Sequence, residues 1–266
     1  MTGSNSMSVA GLGQTIFITG AAGTIGAAIA LAFARQGANL AVMDRAELDV
    51  LTALKSELLV AGAGKVHVIQ GDLADVHSHQ GWIDQIEENL GDIHCLVNNA
   101  GVGAPRRADM LELTPEAFDF VFDINIRGTF FITQKVMASM LQKKSSEYPR
   151  SIINVSSISV EVASPDRAEY CLSKSALGML TKLLALRLAS AGVSVFELRP
   201  GITHSNMTQP VEARYDKLIA EGLVPLGRWG EGQDMADIAI SLASGKFSFA
   251  TGSVINADGG LTIPCL

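Results

Sequence analysis

Short, continuously apolar segments alternate with helix-length segments along this chain, and that alternation restricts its fold more than any other feature. Gln14–Thr19 is a β-rich run containing Ile16, Phe17 and Ile18. Asn39–Met43, Lys65–Gln70, Ile93–Val97, Ser151–Val155, Val193–Leu198 and Ser253–Asn256 read the same way. Between these runs, helices are expected over Ala27–Arg35, Glu47–Ala61 and Asp75–Leu90. A long helix opens at Thr114-Pro115-Glu116 and runs to about Lys143. Another carries Tyr170 and Lys174 to about Ala191, and a last one covers Gln233–Ala243. Proline sits just inside the start of one helix, and Gly37, Gly62 and Gly64 stop two others, which is where each residue is tolerated best. Strands that are apolar at every position are covered on both faces, and helical connections make neighbouring strands parallel. The pattern therefore predicts one doubly wound α/β domain over residues 14–266, with a parallel sheet of about seven strands and helices on both faces. Residues 1–13 are expected to form a flexible N-terminal segment, and the long glycine- and proline-bearing loop at 203–229 is a candidate substrate lid.

Composition narrows the function. A formal net charge of -7 argues against nucleic acid or an anionic membrane surface as partner. No stretch reaches the roughly 20 uncharged apolar residues of a membrane span, and no basic segment followed by an apolar core precedes Gln14. Cys95, Cys171 and Cys265 are far apart and odd in number, which suits neither a disulfide framework nor a metal knuckle. A reducing cytoplasm is the expected compartment.

In a doubly wound sheet, ligands lie beyond the carboxyl ends of the strands. The conspicuous residues gather there: Gly20-Ala21-Ala22-Gly23-Thr24-Ile25-Gly26, Asp44-Arg45, Asp72-Leu73, Asn98-Asn99-Ala100-Gly101, Ser156-Ser157 and Pro200-Gly201. A glycine segment between strand and helix lets the backbone approach a pyrophosphate at the helix N-terminus. Asp44 suits the two hydroxyls of an adenosine ribose and repels a 2′-phosphate, whereas Arg45 could pair with that phosphate. The glycine loop itself contains no basic residue, so NAD is favoured over NADP.

Tyr170 and Lys174, four residues apart, share one helix face. An ammonium beside a phenol favours the ionised form, which would move the phenol toward use as an acid/base at neutral pH.

Thr19-Gly20 with Gly26, Asn98-Asn99-Ala100-Gly101, Asn125 followed by Gly128, Ser157 ahead of Tyr170 and Lys174, and Pro200-Gly201 together resemble the short-chain dehydrogenase/reductase family. The resemblance spans about Gln14 to Leu261 and is greatest to the branch labelled 3-oxoacyl-carrier-protein reductase, many members of which act on sugars or polyols. It implies a Rossmann-type fold with Tyr170 as general acid/base and Lys174 lowering its pKa and holding the nicotinamide ribose. It also implies Ser157 as a hydrogen-bond partner of the substrate oxygen and Asn125 as the anchor of a water chain to Lys174. Asp72 and Leu73 would flank the adenine, Asn98 to Gly101 would line the floor, and Pro200, Gly201, Ile202 and Thr203 would face the nicotinamide. One departure stands out: Thr24 occupies the place of the family's middle glycine, with Gly23 one position earlier.

Arg106 and Arg107 form a candidate clamp for an anionic or polyhydroxylated substrate, with solvated loop charges as the alternative. Asp166, Arg167 and Glu169 add polar groups ahead of Tyr170, and His204 follows the Pro200-Gly201 turn. His77 and His79 diverge on a helix and have no ligand cluster around them, so no metal is expected. The Tyr170 helix carries two apolar stripes: Leu172, Met179, Leu183 and Leu186 on one side, and Leu177, Leu184 and Leu188 on the other. A helix apolar on two sides must be covered twice, and the family's habit of pairing this helix across subunits makes a homotetramer the expectation. The expected activity is NAD-dependent hydride transfer at a secondary alcohol or carbonyl of a small-molecule substrate, a sugar, sugar acid or polyol of carbohydrate metabolism. An NADPH-dependent 3-oxoacyl-carrier-protein reductase and a non-catalytic dinucleotide sensor are the alternatives.

Overall fold

The computed structural model describes residues 13–143 and 146–264. The expectation for the N-terminal segment, except Gly13, lies outside these residues, as does Cys265. The strands are β1 (Thr15–Thr19), β2 (Asn39–Asp44), β3 (Val66–Gln70), β4 (Cys95–Asn98), β5 (Arg150–Val155), β6 (Val193–Pro200) and β7 (Val254–Ala257). They form one seven-stranded sheet in the order β3-β2-β1-β4-β5-β6-β7, and every pairing is parallel. The chain builds outward from β1 to β3, then crosses back to place β4 on β1's other side. That reversal opens a crevice at the carboxyl ends of β1 and β4.

The helices are α1 (Thr24–Arg35), α2 (Leu48–Ala61), α3 (His79–Leu90), α4 (Pro115–Phe122), α5 (Thr129–Gln142), α6 (Ala168–Leu188), α7 (Glu212–Ala220) and α8 (Gly232–Ala243). On one sheet face, Ile29 and Phe33 of α1, Leu54 and Leu58 of α2, and Met235 and Leu242 of α8 pack against Ile16, Ile18, Leu40 and Val42. On the other, Trp82 and Ile86 of α3, Ile132 and Val136 of α5, and Leu177, Leu184 and Leu188 of α6 cover Phe17, Leu96, Ile152 and Val195. Two apolar layers around a doubly covered sheet are what strands apolar at every position require.

Three expectations need correction. The helix expected from Thr114 to Lys143 is interrupted by a π-helical turn at Asp123–Gly128. Gly128 sits there because a Cβ would lie 2.4 Å from the Leu73 carbonyl oxygen. The helix expected from Asp75 begins at His79, because Asp75 instead accepts a 2.6 Å bond from the Ser78 hydroxyl and holds a turn. The candidate lid is not an open loop: it contains α7, seated on a small cluster of Ile202, Ile219, Val224 and Trp229.

Candidate active site

At the end of β1, the Thr19 hydroxyl accepts hydrogen bonds from the backbone amides of Asn99 (3.2 Å) and Ala100 (3.1 Å). The Asn99 side-chain amide donates back to the carbonyls of Thr19 (3.2 Å) and Gly20 (2.9 Å), so the two strand-end loops are clipped together. Glycine is required at two positions of the first loop. Gly20 has a φ of +67° and would place a Cβ 2.6 Å from the Ala100 Cα, while a Cβ on Gly26 would lie 2.1 Å from the Gly20 carbonyl oxygen. Gly23 is different, since a Cβ there meets nothing nearer than 3.5 Å. Thr24 is simply the first residue of α1, so its place needs no glycine. Behind the loop, the Asp44 carboxylate accepts from the backbone amides of Ala22 (2.9 Å) and Ala46 (3.0 Å), which fixes its direction at the end of β2.

These residues share one cleft of about 750 Å³ with the catalytic candidates. Gly20, Gly23, Thr24, Ile25, Asp44, Arg45, Asp72, Leu73, Ala100 and Gly101 line one part of it. Ser157, Tyr170, Lys174, Pro200, Gly201, Ile202 and Thr203 line it too. Gly26 supports the loop from behind. Adjacent residues of an extended chain point opposite ways, and the two serines after β5 do so: Ser156 donates to Glu197 at 2.6 Å, while Ser157 faces Tyr170.

Asn125 is fully buried in the π-turn. Its side chain accepts from the Val102 amide (2.8 Å) and donates to the Val102 carbonyl (3.0 Å) and the Ser173 hydroxyl (3.0 Å). It therefore ties the loop after β4 to α6. Lys174 donates to the Val155 carbonyl at 3.2 Å. A Cβ added to Gly101 would lie 3.2 Å from Asn125 Oδ1 and 3.3 Å from Lys174 Nζ, so both side chains border the same small gap.

The electrostatics differ from the expectation that Lys174 acidifies the phenol. Burial pushes the Tyr170 phenol up from its ordinary value, against the pull of the Ser157 hydroxyl and of Arg167 and Arg107. Burial also brings Lys174 down to about 8, with Glu197 acting in the other direction. In the protein alone, desolvation is the largest influence on both groups.

Four expected site residues lie elsewhere. Asn98 points beneath the cleft, donating to Thr133 and Asn154 at 2.8 Å each, as the last residue of a strand whose neighbour Asn99 takes the cleft side. Arg106 is exposed and paired with Glu112 at 2.8 Å, outside the cleft wall. Glu169 is buried in the first turn of α6 and does not line the cleft. His204 stacks on Trp229 with ring centroids 4.3 Å apart and bonds Glu231 at 2.8 Å, bracing the lid base. Arg107 does line the cleft, with its guanidinium 3.2 Å from Asp166. Among the described residues, no group of three or more His, Cys, Asp or Glu side chains could hold a metal. His79 instead is buried with Nε2 3.0 Å from the Leu73 carbonyl oxygen.

Sequence reasoning did not find the contributions of Met207 and Tyr215 to the cleft wall, because both sit in the long segment 203–229. The spacing of Tyr215 and Ile219, four apart, was the available signal for α7. It also missed the buried pair behind Ser156, in which Arg199 donates to both Glu197 oxygens (2.7 and 3.1 Å) and also pairs with Glu161.

A family model described as Enoyl-(Acyl carrier protein) reductase matches residues 20–262. A short-chain type dehydrogenase/reductase from Mycobacterium marinum superposes with a TM-score of 0.88 at 32% identity, over 97% of this chain and 98% of its own. The chain belongs to the short-chain dehydrogenase/reductase family. As a short-chain dehydrogenase/reductase it is an NAD(P)-dependent oxidoreductase. Also similar are a 3-oxoacyl-[acyl-carrier protein] reductase from Brucella melitensis in complex with NAD (46% identity, TM-score 0.90, 95% of this chain and 98% of that one) and Oxidoreductase UcpA of Salmonella typhimurium (34% identity over 261 residues, 95% of each). A provisionally assigned 2-deoxy-D-gluconate 3-dehydrogenase from Agrobacterium tumefaciens, with bound NADP, gives 30% identity and a TM-score of 0.85 over 98% of this chain and 100% of that one.

Proposed function

We propose that this short-chain dehydrogenase/reductase interconverts a secondary alcohol and a carbonyl on a sugar, sugar acid or polyol, using NAD in preference to NADP. The observation that carries the reading is that Ser157, Tyr170 and Lys174 share a cleft with the Gly20–Gly26 loop and Asp44. The residues fit a dinucleotide: Gly20 and Gly26 leave no room for side chains, α1 presents its N-terminus, and Asp44 is held at the end of β2. When bound, the nicotinamide supplies or accepts the hydride.

The chain's own groups do the rest. Tyr170 exchanges a proton with the substrate oxygen, and Ser157 donates a hydrogen bond to that oxygen as charge develops on it. Lys174 holds the nicotinamide ribose and keeps a cation near the phenol, while Asn125, bordering the same gap, anchors the route by which Lys174 regains protons from solvent. Arg107 closes the substrate end, and the segment from 203 to 229, with Met207 and Tyr215 on the cleft wall, closes over substrate.

A preference for NAD suits the oxidising direction. It draws support from the NAD-bound relative and from the fixed Asp44 carboxylate, while Arg45 in the cleft wall and the relatives named 3-oxoacyl-[acyl-carrier-protein] reductase favour the alternative NADPH-dependent 3-oxoacyl reductase. No helix among the described residues is long and apolar enough to cross a membrane. Together with cysteine usage, this supports placing the enzyme in the cytoplasm; Cys95 is buried with its thiol pushed up to about 12 by desolvation. The exposed stripe of α6, with Leu172, Met179, Leu183 and Leu186 at 53%, 54%, 57% and 81% exposure, supports a homotetramer. The test is turnover over a panel of polyols, sugars, sugar acids and 3-oxoacyl thioesters, each with NAD(H) and NADP(H). Preferential oxidation of a sugar-class alcohol with NAD is expected, and preferential 3-oxoacyl reduction with NADPH would overturn the reading.

A further inference from the structure

Arg167 ends the short turn that leads into α6. Its guanidinium carbon lies 5.1 Å from the centre of the Tyr170 ring, and the residue lines the cleft. One terminal nitrogen donates to the Ser159 hydroxyl at 3.2 Å. The Nε is buried and has no hydrogen-bond partner. Among the described residues no acid lies within ion-pair distance of this guanidinium. The adjacent Asp166 is committed elsewhere, with Oδ2 to Arg107 at 3.2 Å and Oδ1 to the Ser164 hydroxyl at 2.5 Å. Two guanidiniums therefore meet at the substrate side of the phenol, with one carboxylate between them.

The other arginines that are at least partly buried are handled differently. Arg199 is consumed by Glu197 and Glu161, and Arg150 donates to the carbonyls of Met140, Lys143 and Ala191. A buried donor left unmade costs stability, and so does a partly desolvated cation without an anion. The exception falls beside the reacting group, in the cleft wall, where a ligand can supply the anion that the chain does not. A guanidinium is a planar fork that matches a carboxylate with two parallel hydrogen bonds.

We propose that Arg167 anchors a substrate carboxylate, so that the enzyme acts on short hydroxy- and oxo-carboxylates rather than on acyl thioesters. The proposal deepens the oxidoreductase reading of the cleft and rests on it for the position of the reacting carbon. A carboxylate on Arg167 leaves a neighbouring hydroxyl-bearing carbon within reach of Tyr170, because the guanidinium lies over that phenol's own ring. Arg107, still paired with Asp166, supplies the second positive charge at the cleft mouth.

The test compares a panel of 2-hydroxy acids, 3-hydroxy acids and aldonates with the uncharged amide of each, in wild type, Arg167→Gln and Arg167→Lys. Wild type should favour the acids, and Arg167→Gln should reduce kcat/KM for acids at least about tenfold more than for amides. Arg167→Lys should recover part of that preference, since it restores charge without the fork. Calorimetric titration of the same acids into protein saturated with reduced dinucleotide, where a hydroxy acid cannot be oxidised, reads binding without turnover. Arg167-dependent binding there supports the anchor even if no panel member is turned over, an outcome that would count against the oxidoreductase reading alone. Turnover confined to amides, a parallel loss for acids and amides in Arg167→Gln, or acids that neither bind nor react would overturn the proposal and leave the hydride-transfer reading to stand or fall separately.

Discussion

On α6 the Lys174 ammonium nitrogen lies 5.7 Å from the centre of the Tyr170 ring, and both side chains are buried. Proximity alone would acidify the phenol, but burial raises the phenol and brings the lysine down to about 8. The phenolate absorbance that wild type shows and Tyr170→Phe lacks should therefore appear only above pH 10 in the protein without dinucleotide. A step near neutrality would contradict this balance. Linkage gives a second readout. Between the folded value of about 8 and the ordinary 10.5 of Lys174, the unfolded chain binds more protons, so this group's contribution to stability rises with pH. Lys174→Met should flatten that slope in denaturant titrations.

Gly26 and Gly23 separate steric need from mere presence in a glycine-rich loop. Gly26→Ala drives a Cβ to 2.1 Å from the Gly20 oxygen and should cost about 1–3 kcal/mol as an overpacked site. Gly23→Ala meets nothing nearer than 3.5 Å and, as a change at the helix cap, should cost under about 1 kcal/mol. Urea unfolding of the two variants checks the contrast, and equal losses would contradict it.

Most of the architecture was legible in the sequence because doubly covered strands must be apolar throughout, and because helix-long spacers force them parallel. The glycine loop was legible for a similar reason: at Gly20 and Gly26 the backbone passes too close to Ala100 and to itself for any side chain. Long-range pairings were not. Nothing local announces that Asn98 turns to Thr133 and Asn154 rather than to the cleft, or that Asp166 takes Arg107 and leaves Arg167 alone. Nor could the π-turn at Asn125 be read, since its last residue, Gly128, packs against Leu73, a residue distant in the chain.

Asp44 is oriented by two backbone amides, so removing its charge while keeping its shape should act on cofactor choice. Asp44→Asn should lower the NAD-over-NADP ratio of kcat/KM about tenfold or more, by relieving repulsion of a 2′-phosphate and weakening the ribose bonds. Parallel kinetics with both dinucleotides measure it. An unchanged ratio would remove Asp44 as the discriminating residue.

The exposed α6 stripe should be an interface between copies. Leu183, 57% exposed, can accept a charge without touching the core of one subunit. Leu183→Glu should yield a smaller species in light scattering at micromolar concentration, where wild type is expected to run as a tetramer. A monomeric wild type would contradict the assignment.

The central claim is that Tyr170 exchanges the substrate proton within a dinucleotide cleft. Its most direct measurement pairs turnover with dinucleotide affinity in Tyr170→Phe. Turnover should fall at least about a thousandfold, near the upper part of the range for loss of a positioned acid/base, while dinucleotide binding, followed by fluorescence, changes by less than about threefold. Turnover retained in that variant would contradict it.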